Sequence, residues 1–185
     1  MTSICVFCGA KTGVDPKWMA LAEEIGTILA NRSVRLVYGG GGVGLMGAVA
    51  SAALRAGGEV VGVIPHSLMG QESGKFEVSR LERVDSMAER KTRMMELSDG
   101  FLVLPGGLGT LDELFEVLTL RQIGLHSKPS ALLNYDGYFD PLTTMLSSQV
   151  AAGFVHAKDT EYLIKGDSPQ DVVDRLLALC LLPAV

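Results

Sequence analysis

GFLVLPGGLGTLDELFEVLTLRQIG, residues 100–124, is the stretch that decides the fold of this chain. Its first five residues, Gly100–Leu104, run apolar without alternation, as in a strand covered by helices on both faces of a sheet. Pro105-Gly106-Gly107 breaks that run. Apolar residues then return at helical spacing from Thr110, and the pattern stops at Gly124, a favoured helix terminator. The unit is strand, tight turn, helix.

The same unit repeats outward in both directions. Upstream, Ser3–Cys8 reads as a strand and Gly9–Asp15 as a turn. Pro16–Asn31 reads as a helix, with Asp15 as N-cap and Pro16 at its first position. Val34–Tyr38 is a second apolar strand, followed by a glycine run and a helix over about Val43–Ala56. Glu59–Ile64 is a strand stopped by Pro65, and Pro65–Ser79 reads as a long loop of the kind that often carries function. Leu81–Val84 is a short strand, and Ser86–Leu97 a helix opened by the capping box Ser86-Met87-Ala88-Glu89. Downstream, Ala131–Asn134 and Tyr138–Ala152 continue the alternation, and Pro169–Leu182 is an amphipathic closing helix. Alternating β and α elements imply right-handed crossovers and a doubly wound α/β fold with a mostly parallel sheet, in one domain over residues 1–185. Ligands in such folds bind beyond the carboxyl ends of the strands, where both glycine-rich turns sit.

Composition narrows the function classes. A hydrophobic content of 48% supports a well-buried core, and the 22 glycines cluster at a few turns instead of forming low complexity. The net charge of −5 argues against a nucleic-acid binder, which usually carries a basic field. No apolar run approaches the roughly 20 residues that span a bilayer, and no leader pattern opens the sequence. Three cysteines make no even disulfide framework, so a cytoplasmic location is expected.

The first glycine-rich turn, Tyr38-Gly39-Gly40-Gly41-Gly42-Val43-Gly44-Leu45-Met46-Gly47, contains G-x-G-x-x-G at 42–47. It follows the second strand, and the next strand ends Ile64-Pro65-His66 without the acidic residue that holds a dinucleotide ribose. A phosphate or ribose cradle fits better than a dinucleotide site, with tight strand-to-helix packing compatible with either. The second turn, Pro105–Thr110, has no Lys-Ser/Thr pair and is not a Walker A loop. Its amides, the Thr110 hydroxyl and the helix dipole make an anion site to which the dipole contributes about 1–2 kcal/mol. Thr110-x-x-Glu113 also has the form of a capping box, so Glu113 reads either as a cap or as a base beside a reacting ribose.

Met87-Ala88-Glu89-Arg90-Lys91 followed by PGGLGTLDE resembles the LONELY GUY (LOG) family, the cytokinin-activating phosphoribohydrolases often mislabelled as lysine decarboxylases. The family pattern P-G-G-x-G-T-x-x-E is met from Pro105 to Glu113, with Arg90 at the family's distance upstream. Similarity extends over Val6–Gly9, the first glycine turn, Ile64-Pro65 with Leu68-Met69 and Glu72, and Lys128-Pro129 through Asn134–Tyr138, about residues 4 to 155 in all. The resemblance implies a Rossmann-like homodimer that cleaves the N-glycosidic bond of N6-substituted adenosine 5′-monophosphates and needs no cofactor or metal. It implies Arg90 and Glu113 as the catalytic pair. Gly106, Gly107, Gly109 and Thr110 would hold the phosphate, Glu72, Lys91 and Thr119 would line the substrate site, and Gly40, Gly41 and Gly44 would complete the cradle. One departure stands out: family members often have Ser after Cys-Gly, whereas Cys8-Gly9 is followed here by Ala10-Lys11.

N-glycoside hydrolysis passes through a ribosyl cation, by analogy with O-glycosidases. Glu113 is expected to stabilise that cation and to orient or deprotonate water. Arg90, whose guanidinium does not readily give up a proton, is expected to keep Glu113 ionised and to help hold the substrate or stabilise charge on the departing base. The alternative is a non-catalytic nucleotide or molybdenum-cofactor carrier, against which the Arg90 and Glu113 pair is the discriminating feature. Amino-acid decarboxylation would need a cofactor-binding lysine with a phosphate site and a pyridinium partner, and no such set is recognisable. Cys5-x-x-Cys8 lies within the first strand at an offset that puts the sulfurs on opposite faces. His66, His126 and His156 have no metal spacing. Met46, Met69, Met87, Met94 and Met95 read as core residues, some of them able to contact a planar base, and Trp18 reads as a packing residue.

Overall fold

A computed structural model describes residues 1–72 and 77–181. The order is β1 (Ser3–Phe7), α1 (Lys17–Asn31), β2 (Arg35–Tyr38), α2 (Gly44–Arg55), β3 (Val60–Pro65), α3 (Met69–Glu72), β4 (Arg80–Val84), α4 (Met87–Glu96), β5 (Gly100–Val103), α5 (Leu108–Gln122), β6 (Ser130–Leu133), α6 (Asp140–Ala151), α7 (Ala157–Glu161), β7 (Leu163–Gly166) and α8 (Pro169–Cys180). The strands form one sheet in the order β4-β3-β2-β1-β5-β6-β7. Every pairing is parallel, so the doubly wound expectation holds.

Continuously apolar strands explain the layering. Neighbouring residues of β1 point to opposite faces and both faces are covered. Ile4 and Val6 join a core built with α1, α2 and α8, through residues such as Ile25, Val49 and Val172. Cys5 and Phe7 join the other core with α4, α5 and α6, through Met94, Leu114 and Leu146. Cys5 and Cys8 fall in different cores as free thiols, as the strand offset requires.

The chain departs from the expected elements at several places. Helix α1 opens at Lys17, with Pro16 rather than Asp15 at the N-cap. Asp15 still contributes, because its carboxylate accepts from the Lys17 amide at 2.9 Å. The expected loop from Pro65 contains a 3₁₀ turn at His66–Leu68 and the single turn α3, while residues 73–76 lie outside the described residues. Strand β7 and helix α7 occupy a stretch where no element was expected. β7 is a four-residue edge strand with only Leu163 and Ile164 buried, too short to give a period. Leu182, the expected end of the last helix, lies outside the described residues. Among the described residues, no helix is long and apolar enough to cross a membrane.

β1 is where the winding reverses. The chain crosses over to β2 on one side and returns to its other side as β5. Ile4 to Phe7 pair with Gly100 to Val103, so the loops leaving β1 and β5 emerge side by side. A crevice at such a switch point is the usual ligand position in open α/β sheets.

Candidate active site

The two loops at the switch point are joined by backbone. The Gly9 amide donates to the Pro105 carbonyl at 3.1 Å, and the Gly9 carbonyl accepts from the amides of Leu45 and Met46 at 3.0 and 3.3 Å. Gly44 stands at φ +61°, where a Cβ would lie 2.4 Å from the Ala10 backbone. The first glycine turn is therefore filled by the chain's own loop. Gly44 holds that loop, while Gly40 and Gly41 are buried and do not line the cavity beside it. A Cβ on Gly40 would meet Ile64 at 2.9 Å, so its role is packing against β3.

The cavity has a volume of about 630 Å³ and runs from the loop Cys8–Lys11 across Leu45, Met46 and Met87 to Arg90, Pro105–Thr110 and Glu113, with Trp18, Leu68 and Tyr138 completing its wall. Volumes of this order suit a small-molecule ligand.

Helix α5 presents its N-terminus to that space. The N-cap is Gly107, not Thr110, and the first helical bond runs from the Leu111 amide to the Gly107 carbonyl. The capping-box reading of Thr110 and Glu113 is thereby overturned: the helix starts two residues before Thr110, which puts Glu113 in its second turn, beyond reach of a cap. Among the described residues the amides of Leu108, Gly109 and Thr110 find no acceptor. These are the unpaired donors that every helix start leaves for a partner. Thr110 is only 3% exposed, lines the cavity and makes no side-chain hydrogen bond among the described residues. A Cβ on Gly107 or Gly109 would meet nothing within 4 Å, so packing within the chain does not require glycine at either.

Arg90 reaches the cavity from α4 and is 6% exposed. Its Nε donates to the Val63 carbonyl at 3.2 Å and its Nη2 to the Gly39 carbonyl at 2.8 Å, at the carboxyl ends of β3 and β2. A Cβ at Gly39 would lie 1.8 Å from Nη2, so glycine there is what admits the guanidinium. Nη1 stands 3.9 Å from Glu113 Oε1. Two hydrogen bonds to carbonyls fix the ring of donors and leave Nη1 facing the carboxylate across a gap.

Glu113 has an 11% exposed side chain and accepts no hydrogen bond among the described residues. Burial pushes its carboxyl up to about 7, and Asp112 and Glu116 add to the rise, while Arg90 and Lys91 oppose it. Sequence reasoning expected Arg90 to hold Glu113 ionised. Burial outweighs it, because the guanidinium is already spent on Val63 and Gly39 and makes no close contact with the carboxylate. The result is a carboxyl group poised near neutrality in a cleft, the ordinary signature of acid–base work.

The structure gathers Arg90, Glu113, Gly106, Gly107, Gly109 and Thr110 around one cavity. It does not bring Lys91 or Thr119 there. The Lys91 ammonium sits between α4 and α5, 2.9 Å from Asp112 and 2.6 Å from Glu116, which raise its pKa. Thr119 is exposed farther along α5. The side chain of Glu72 lies outside the described residues. Lys11 lines the cavity, so the Ala10-Lys11 departure places a cation there. Sequence reasoning missed Gly39, whose importance appears only when Arg90 is seen against it. It also read Trp18 as packing alone and passed over Tyr138, both part of the wall. Cys8 lines the cavity too, and burial together with Glu113 raises its thiol well above the ordinary range, which keeps it protonated. Among the described residues no group of three or more metal-ligating side chains is gathered.

Comparison with known proteins bears on the family and the fold. The family model described as "Possible lysine decarboxylase" matches residues 46–176. A probable cytokinin riboside 5′-monophosphate phosphoribohydrolase of Oryza sativa subsp. japonica is 44% identical over 173 residues, 94% of this chain and 76% of that protein. A cytokinin riboside 5′-monophosphate phosphoribohydrolase of Arabidopsis thaliana is 41% identical over 94% of this chain and 81% of that protein. Among solved structures, the molybdenum cofactor binding protein of Rippkaea orientalis superposes with a TM-score of 0.72 at 22% identity, covering 96% of each chain. The molybdenum cofactor carrier protein of Chlamydomonas reinhardtii gives 0.68 at 22% identity, over 96% of this chain and 98% of that one. Those two likenesses establish a shared fold, whereas the sequence matches establish kinship. The chain belongs to the family of cytokinin riboside 5′-monophosphate phosphoribohydrolases.

Proposed function

We propose that this protein hydrolyses the N-glycosidic bond of adenosine 5′-monophosphates, those substituted at N6 included, releasing the free base and ribose 5-phosphate. The observation that carries the proposal is the buried Arg90 and Glu113 pair, set in the same cavity as the open N-terminus of α5. The amides of Leu108, Gly109 and Thr110, with the Thr110 hydroxyl, bind the 5′-phosphate at the positive end of the helix. As the bond from C1′ to the base breaks, the electron pair leaves with the base, which takes up a proton from solvent. Ionised Glu113 stabilises the positive charge on the ribose and removes a proton from the water that adds to C1′. Arg90 stays protonated throughout and stabilises charge by proximity. A carboxyl near 7 serves this cycle, since it accepts a proton from water and returns it to solvent at neutral pH.

The test is to incubate the protein with AMP, or with its N6-isopentenyl derivative, and to measure the base released by chromatography. Wild-type protein should release base, and Glu113→Gln should lose at least about 10²-fold in turnover. Wild-type turnover in that variant removes Glu113 from the mechanism, and tight binding without base release supports a nucleotide or cofactor carrier instead. The decarboxylase reading finds little support in the residues: Lys11, on an exposed loop, is the only lysine of the described cavity wall. The protein acts as a homodimer in the cytoplasm on this proposal. Exposed Met87, Leu108, Ile123 and Leu125 along or just after α4 and α5 supply apolar surface for a second copy, and three free thiols suit a reducing compartment. A monomer by light scattering at micromolar concentration overturns the dimer.

A further inference from the structure

The Gly106–Gly107 peptide stands immediately before α5, and its orientation decides whether the anion site meets an N–H or a carbonyl oxygen. In a planar trans peptide the two point in opposite directions. Rotating this peptide about its ends changes only torsions of two glycines, the residues that resist such a change least. Something must choose the orientation. The Tyr138 hydroxyl donates to the Gly106 carbonyl at 2.8 Å, and it does so from the segment that follows β6, 32 residues away in sequence.

Tyr138 is 40% exposed, and its ring packs against neighbours on the protein side. Its ring meets Trp18 edge-on at 5.3 Å and Phe139 at 4.9 Å. The turn beneath it is tied by the Asn134 side chain, which accepts from the Phe139 amide and donates to Asp140, both at 2.7 Å. Lys17 pairs with Asp136, joining the start of α1 to the same turn. A hydroxyl so placed, on the rim of the cavity, acts on the turn and not merely beside it.

We infer that Tyr138 is a positioning residue that locks the Gly106–Gly107 peptide with its N–H toward the anion site, and thereby sets the preference for a phosphorylated ribose. The inference rests on the proposed phosphoribohydrolase reading. Trp18, the sole tryptophan of the chain, lines the cavity and supplies the signal. Its fluorescence is titrated with ribose 5-phosphate in wild type and Tyr138→Phe, which keeps the ring and removes only the donor. The variant should bind ribose 5-phosphate about five- to tenfold more weakly, the expected scale for one lost hydrogen bond to a binding turn. Its KM for AMP should rise by the same factor with kcat within about twofold, and its affinity for adenosine should not change. A Tyr138 that only supports the fold would lower kcat, adenosine affinity and melting temperature together. Unchanged ribose 5-phosphate affinity in Tyr138→Phe overturns the inference while leaving the proposed function standing. Wild-type protein that neither binds ribose 5-phosphate nor cleaves AMP overturns both.

Discussion

The two glycine-rich turns look alike in sequence and do opposite work. At the first, the amides of Leu45 and Met46 are occupied by the Gly9 carbonyl, and Gly44 is pressed against the Ala10 backbone. At the second, the first three amides of α5 have no acceptor among the described residues, and Gly107 and Gly109 face open space. One helix start has been satisfied from within and serves as a joint. The other is left without acceptors among the described residues, and on the proposed function it is where the ligand binds. A glycine count cannot separate the two, because glycine answers equally to a tight backbone approach by the chain and by a ligand.

The contrast can be broken by alanine. Gly44→Ala carries the largest expected effect, since its positive φ and a Cβ 2.4 Å from main-chain atoms leave no room for adjustment. It should destabilise the protein by on the order of 3 kcal/mol, seen as a lower midpoint in urea. A slightly smaller effect concerns Glu113 and separates folding from catalysis. Its carboxyl rises from the ordinary 4.5 to about 7 on folding, so the folded chain holds a proton there that the unfolded chain has lost. Stability from this source is complete below about pH 4.5 and is lost as pH rises through 7. Wild type should therefore lose on the order of 2–3 kcal/mol across that window relative to Glu113→Gln, measured by thermal melts at a series of pH values. Equal pH dependence in the two proteins would mean that the carboxyl is not perturbed. The smallest effect sharpens the comparison most. Gly109→Ala, inside α5 and facing open space, should raise stability by about 0.5–1 kcal/mol while weakening ribose 5-phosphate binding. A loss of stability there would show that the second turn, too, is used by the fold.

The sheet was legible because its central strands are uninterrupted apolar runs, and a run such as Gly100–Leu104 has few other interpretations. β7 was not, since two buried residues at a sheet edge make no pattern. Within the site, the place of the second turn between a strand and a helix was legible, and the structure puts it on the wall of the cavity. The start of α5 was misread because Thr110 fits a cap by type, whereas the true cap is a glycine, which offers no side chain to recognise. That error mattered, as it left Glu113 with a structural occupation it does not have. The surroundings of Arg90 were not legible at all: Gly39 and Val63 lie 51 and 27 residues away, and only the packed sheet brings their carbonyls to one guanidinium. Lys91 and Thr119 carry the family's pattern but face away from this cavity, so their part in binding rests on resemblance alone.

Gly39 bears a consequence for how this chain can vary. Any Cβ there would lie 1.8 Å from Arg90 Nη2 and 3.1 Å from Met46 Sδ, so a side chain at 39 and the guanidinium compete for one space. The buried guanidinium and the missing Cβ are in this sense one fitted unit, made of residues far apart in sequence.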